Sequence, residues 1–471
     1  MPLIRLGLSL LLLLPALLVA ADPGKPLTKI AFGSCSKQDK PLPIFKSITN
    51  LKPDIFLHLG DIVYADTEDM EKMKLTYDKM ARDEGFAALR KSCTFLGVWD
   101  DHDYGKNDGG AEYPKKDESQ QILLDFLGVA KDSPRRKQKG AYSSEIFGPV
   151  GKRVQVIFLD GRYFRSPLKR GRFDPVMRYA PYLPVTDPEA TMLGEEQWKW
   201  FAEQLKIPAE IRLIGSGIQI LCDEHPFEKW ANFPLEREKF LKLLKETNVE
   251  GVILLSGDRH LAELSMLEPG KVTAYPLYDI TSSGLNQADK NWRIPEKNRY
   301  RVSSMAYGDN FGMIEIDWSL DDPKIGMQVR DVDGDIIIQQ KIRLSHLQAK
   351  TFVVKNQPQG KELPKLKEGS ITAKEALDKV NQKVVVEMRV NSIGGTVEKR
   401  LFLNSEKNFR NKTNFAIVLS PKFFKDQFEK ATANTFKDKV IRITGTVTLY
   451  KDTQSEILVD DPTQIELVEE E

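Results

Sequence analysis

Six times along the chain a short apolar run ends in small, often acidic residues, and this repetition limits the possible folds more than any other feature. Residues 29–32 lead into Gly33-Ser34-Cys35, residues 54–59 into Gly60-Asp61, and residues 94–99 into Asp100-Asp101-His102-Asp103. Residues 153–159 lead into Asp160-Gly161-Arg162, residues 211–214 into Gly215-Ser216-Gly217, and residues 251–255 into Ser256-Gly257-Asp258. Runs of this kind predict buried strands whose C-terminal ends carry the polar groups, as in an open α/β sheet. Helices are expected between them, over residues 67–91, over 194–206 with Trp198, Phe201 and Leu205 on the apolar face, and from Pro234 onward. Residues 106–151 and 165–193, rich in Gly and Pro, read as surface insertions, either shaping substrate access or simply solvated. Beyond Phe311, residues 313–318 and 334–343 read as strands of a second sheet, with a turn signal at Asp333-Gly334.

The 471 residues are enough for two or three domains. With 69 Lys and Arg against 68 Asp and Glu, the net charge of +1 argues against a general binder of nucleic acid or anionic membrane. At the start, Arg5 precedes an apolar run over residues 6–19, and Ala20-Ala21 follow. This layout predicts a signal peptide over residues 1–21, export by the general secretory route to the periplasm or exterior, and no stable membrane span after cleavage. The rival reading is a retained anchor, although the run contains Pro15 and is short for a spanning helix. Three cysteines, Cys35, Cys93 and Cys222, allow at most one disulfide.

Taken singly the strand-end residues mean little: an Asp after a strand is usually a turn or helix cap, and a lone Cys is usually a small core residue. His58, in the middle of an apolar run, reads as a hydrogen-bonded core residue, and His225 and His346 as surface or structural. Together, however, Cys35, Asp61, Tyr64, Asp101, His102, Asp103, Asp258 and His260 offer carboxylates, imidazoles, a phenol and a thiol at separate strand ends. Such a set can hold paired cations, which polarise a phosphoryl group and activate water.

GDIVY at residues 60–64, WDDHDYGKND at 99–108, LDGR at 159–162, SGDRH at 256–260 and PLYDITSSGL at 276–285 resemble the signature of PhoD-like phosphatases, a branch of the calcineurin-like metallophosphatases. The resemblance runs over residues 28–343. It departs from the wider superfamily where GSC replaces D-x-H, where DDHD replaces the GNH motif, and where Asp258 replaces His. It implies an α/β fold, a metallophosphatase-type sandwich of two mixed β-sheets flanked by helices. It also implies an exported phosphoesterase, an alkaline phosphatase or phosphodiesterase, in which a metal-bound hydroxide or oxo group attacks phosphorus. The implied metals are ferric iron and calcium, with Asp61 bridging, Cys35 and Tyr64 on the iron, and Asp101, Asp258 and His260 completing the cluster. His102 and Arg162 take catalytic roles by the same resemblance, His102 at the phosphoryl group or leaving oxygen and Arg162 on phosphate. Asn107, Asp108 and Gln219 are outer candidates.

The expected organisation is a catalytic domain over residues 28–345, a linker over 346–369 and a small all-β, OB-like barrel over 370–471. In the last segment, strands are expected at 383–390, 401–403, 414–419, 439–450 and 456–459, with a helix at 421–430. OB folds often bind nucleic acid, but the balanced charge and the Glu469-Glu470-Glu471 end favour a structural, anchoring or partner-binding role. The substrate is expected to be a phosphate mono- or diester. A catalytically silent phosphoesterase scaffold that binds a ligand or partner is the alternative.

Overall fold

Burial explains where the strands form: β2 (Ile55–Leu59), β5 (Val154–Leu159), β8 (Ile211–Ser216), β9 (Val252–Ser256) and β11 (Leu277–Ser282) bury every side chain, as continuous apolar runs covered on both faces must. The computed structural model describes residue 22 and residues 24–468, apart from 176–178, 290–295, 350–365, 368, 397–399, 407, 408, 410, 412, 424–435, 438 and 451–453. The expected signal segment, most of the expected linker and most of the expected helix at 421–430 lie outside the described residues. The chain divides into two units, Met1–Val353 and Val354–Glu471.

The first unit holds two six-stranded mixed sheets. One contains the parallel strands β1 (Lys29–Gly33), β2 and β3 (Thr94–Val98). It is extended beyond β1 by the antiparallel β12 (Asn310–Asp317), β13 (Lys324–Asp331) and β14 (Ile336–Arg343). The late strands expected to start a second sheet therefore join the first, because β12 pairs with β1 along its length. In the other sheet β5, β8, β9 and β11 run parallel, edged by the antiparallel β4 (Ser143–Phe147) and β10 (Ala262–Leu267). Phe32, Leu57 and Leu59 of one sheet share a single core with Phe158, Ile214 and Leu254 of the other.

Helices α1 (Ile44–Asn50), α2 (Met70–Arg82), α3 (Glu84–Ser92), α4 (Asp101–Tyr104), α5 (Lys116–Phe126), α6 (Gly194–Lys206) and α7 (Pro234–Glu246) complete the unit. The amphipathic stretch expected as one helix over 67–91 is two. Asp83 is extended, ends α2, and accepts a hydrogen bond from Phe86 N–H at the start of α3. The expected insertions are partly built into the fold: residues 106–151 contain α5 and β4, and residues 165–193 contain a two-stranded ribbon of β6 (Lys169–Arg170) and β7 (Tyr182–Leu183).

Among the described residues of the second unit the strands are β15 (Ser370–Thr372), β16 (Lys383–Arg389), β17 (Ser392–Thr396), β18 (Arg400–Asn404), β19 (Ala416–Leu419), β20 (Val440–Tyr450), β21 (Gln454–Val459) and β22 (Ile465–Val468), with one short helix, α8 (Ala373–Ala376). They follow the order β15-β16-β20-β21-β19-β18-β17, with β22 on β20. The eight strands exceed the five expected, since β17 (SIGGT) has too little β-propensity to read as a strand and is held by its pairing with β18. Val386, Leu403, Ile417, Ile443 and Ile457 form its core. Among the described residues, no helix is long and apolar enough to cross a membrane.

Candidate metal centre

The C-terminal ends of β1, β2 and β3 and those of β5, β8 and β9 supply the polar loops of the first unit. The chain turns sharply at these ends. Cys35 (φ 63°), Asp61 (φ 55°), Asp258 (φ 65°) and His260 (φ 52°) all adopt the left-handed region, which costs a non-glycine residue about 1–3 kcal/mol. Asp66 and Asp108 share this region, so six of the nine described non-glycine residues with positive φ lie in the same set of loops.

Asp61 is the hub. Its carboxylate lies 3.4 Å from Cys35 Sγ and 3.1 Å from the Tyr64 hydroxyl through Oδ2, and Oδ1 accepts from His102 N–H at 3.3 Å. The Tyr64 hydroxyl also lies 3.1 Å from His260 Nε2. Ser283 Oγ sits 3.2 Å from Cys35 Sγ and accepts from His260 N–H at 2.9 Å. Asp103, within α4, binds the loops together by accepting from the N–H groups of Asp61, Ile62 and Asp100. His102 Nδ1 is 2.7 Å from Asp66 Oδ2, and its ring packs tilted against Tyr64 at 4.1 Å between centroids.

Four overlapping groups have ligand atoms mutually within 4.8 Å: Cys35, Asp61 and His260; Asp61, Asp101 and His102; Asp100, Asp101 and Asp258; and Asp101, Asp108 and Glu228. Every metal-type residue expected from the sequence falls in these groups except Tyr64, which hydrogen-bonds to two of their members.

The electrostatics fit a cation site. Burial holds Asp61 well above the usual carboxylate range, and Cys35 and Asp101 push it further. Burial also raises Asp258 to about 6, opposed by Arg259 and assisted by Asp101, and raises the Cys35 thiol to about 12. Burial opposes a charge on His102, but Asp61, Asp101 and Asp66 outweigh it and raise the ring to about 11. Asp100 Oδ2 is buried with no hydrogen-bond partner, an arrangement that is costly unless a cation completes it. The residues present therefore fit a metal centre: too much buried negative charge, hard and soft donors on one side, and carboxylates on the other.

Arg162, expected on phosphate, is fully buried. Its Nε donates to Asp100 Oδ1 at 2.7 Å and its NH1 to Glu228 Oε2 at 2.7 Å, so its fork is occupied by carboxylates. Gln219 is likewise engaged, donating to Glu263 and Thr281 at 2.8 Å each. Asp108 N–H donates to Asp101 Oδ2 at 2.7 Å, while Asp108 Oδ2 accepts from Tyr182, Arg170 and Asn107. His58 is buried with Ser36 Oγ 3.0 Å from Nε2, and His225 is buried as well.

Sequence reasoning assigned no role to Asp66, Asp100, Glu228 or Ser283. Asp100 stands inside the quoted WDDHD stretch, and Ser283 inside PLYDITSSGL. Glu228 follows no strand, and only the three-dimensional structure brings it to the centre.

A family model described as PhoD-like phosphatase matches residues 30–318, well over half of the chain. A curated relative, Alkaline phosphatase D of Bacillus subtilis (strain 168), is 22% identical over 319 residues, which cover 58% of this chain and 54% of that protein. The chain thus spans about half the length of the curated relative it matches. A solved structure described as "Structure of PhoD" superposes with a TM-score of 0.54 at 16% identity, covering 69% of this chain and 70% of that one, which shows a shared fold.

Proposed function

The chain belongs to the PhoD-like phosphatase family, and from that premise we propose that it is an exported, metal-dependent phosphoesterase acting on phosphate mono- or diesters at the centre gathered around Asp61. The observation that carries this reading is the convergence on one buried carboxylate of a thiol, a phenol and the DDHD loop. Cys35, Tyr64, Asp61 and His260 form the face suited to ferric iron. Asp61, Asp101, Asp258 and the unpartnered Asp100 Oδ2 form the oxygen-rich face suited to calcium.

When bound, the cations supply positive charge against the phosphoryl oxygens and make water acidic enough to act as a nucleophile. The protein's own residues do the rest. Asp61, Asp101 and Asp66 together keep the His102 ring cationic, and because Asp66 accepts from Nδ1–H, the other N–H is left to donate to the leaving oxygen or the phosphoryl group. Tyr64 fixes that ring from one face. Asp103 sets the separation of the β2 and β3 loops, so that Asp61 and Asp101 approach the same space. We assign Arg162 a positioning role: it holds Asp100 toward the centre and anchors it to Glu228, which also pairs with Arg165 at 3.3 Å.

Substituting Asp61→Ala removes the shared carboxylate, and hydrolysis of 4-nitrophenyl phosphate and its diester by the metal-loaded protein should fall below detection. Full activity in that variant would contradict the assignment. Export is supported by the layout of the first 21 residues, and appearance of the protein in the culture medium or periplasm tests it. For the second unit we propose an OB-like, non-catalytic role in structure or partner binding; tight binding of single-stranded nucleic acid would contradict that.

A further inference from the structure

A cavity of about 440 Å³ opens directly beside the metal centre, with Tyr64 and Asp66 in its wall. Asp66 is the residue that holds His102, so the cavity and the centre share that wall. The loop after β1 brings Lys37 to the cavity, and α2 brings Lys72 and Lys79. Both acidic groups there are already engaged: Asp66 by His102, and Asp39 by Lys79 and by Gln38 Nε2 at 2.9 Å. Lys37 and Lys72 have no carboxylate within ion-pair distance among the described residues.

These two cations are well fixed at their backbones. Lys37 N–H donates to Asn286 Oδ1 at 2.7 Å, and its carbonyl accepts from Asn286 Nδ2 at 2.9 Å. Its Nζ stands 5.5 Å from the centroid of the Tyr64 ring. Gln38 clamps the Tyr64 backbone from both sides, accepting its N–H at 2.9 Å and donating to its carbonyl at 3.1 Å. Lys72 lies in the first turn of α2, where the helix dipole disfavours a cation, and its N–H is held by Asp69. Leu75, 60% exposed, adds apolar surface to the same wall.

We propose that this cavity is the subsite for the organic arm of the ester, and that Lys37 and Lys72 select an arm bearing its own negative charge. The inference rests on the phosphoesterase reading above and adds the substrate class. Ammonium groups with no carboxylate in direct ion-pair contact, beside a site that already binds one anionic centre, attract a second anion and steer such substrates inward. Leu75 offers apolar surface to the carbon chain.

The test is calorimetric binding of two non-hydrolysable probes, propylphosphonate and 2-carboxyethylphosphonate, to the iron- and calcium-loaded full chain. Wild type should bind the carboxylated probe about tenfold more tightly, and the preference should shrink as salt rises toward about 1 M. In K37M and K72M the ratio should fall, and in the double variant it should approach one. Retained propylphosphonate binding shows that these variants are folded and metal-loaded. A wild-type ratio of one or less, failure of both probes to bind, or a ratio unchanged in the double variant would overturn the proposal. If the ratio behaves as expected while no ester is turned over, the subsite stands and the hydrolytic reading fails.

Discussion

Asp100 sits where two glycines leave room for it. A Cβ on Gly60 would lie 2.4 Å from Asp100 Cβ, and one on Gly217 would lie 2.3 Å from Asp100 Oδ1. Gly60 also has φ 103°, so an alanine there carries backbone strain in addition to the clash. Gly217→Ala isolates the steric effect: the Asp100 carboxylate must shift, and metal affinity should drop about tenfold or more while far-UV circular dichroism stays native. Unchanged metal affinity would show that Asp100 is no ligand. Arg162→Met leaves Asp100 and Glu228 buried beside each other without their shared cation, and should destabilise the folded protein by about 3 kcal/mol or more in denaturant titration. The candidate ligand types were legible in the sequence because each lies just beyond a strand. The environment of Arg162 was not, since a strand-end arginine looks the same whether it faces substrate or two buried carboxylates.

At the scale of elements, strand positions could be read from continuous burial and helix positions from periodicity. Sheet membership could not be, because pairing of β12 with β1 is a contact between segments nearly three hundred residues apart in sequence. The break between α2 and α3 lies in the phase of the pattern: Met73, Tyr77 and Met80 share one face, whereas Phe86 and Leu89 would fall on the opposite face of a continuous helix, and the extended backbone of Asp83 brings them back to the core. Asp83→Ala removes the side-chain acceptor for Phe86 N–H and should cost about 1 kcal/mol, read as a lowered midpoint of thermal or urea unfolding. No change would mean that packing of Phe86, not the cap, sets the start of α3. The loops from six parallel strand ends explain why a set of individually weak motifs forms one centre.

For the molecule as a whole, the buried carboxylates make stability depend on metal and pH together. Asp103 is raised to about 7 by burial, although backbone N–H groups oppose this; Asp258 is raised to about 6, and Asp61 further. A carboxylate with a raised folded-state pKa contributes stability that is fully present below its unfolded value near 4 and is lost as pH rises through the folded value. His58, near 3, His260, near 4, and His225, held well below its ordinary value by burial, titrate in the opposite sense as pH rises toward 6.5, but the raised carboxylates, which also include Asp100 and Glu228, outnumber them. Metal-free protein should therefore lose thermal stability from about pH 4 to pH 7, and calcium with ferric iron should restore it at pH 7. A metal-free protein most stable at neutral pH would contradict the crowded-carboxylate description. The central claim, that the Asp61 centre hydrolyses phosphate esters through bound cations, meets its most direct test in one assay. Hydrolysis of 4-nitrophenyl phosphate and bis(4-nitrophenyl) phosphate is followed with iron and calcium present, then after adding chelator. At least one ester should be turned over, with chelator abolishing the activity and added metal restoring it; turnover indifferent to chelator, or none by the folded, metal-loaded protein, would rule out metal-dependent hydrolysis at Asp61.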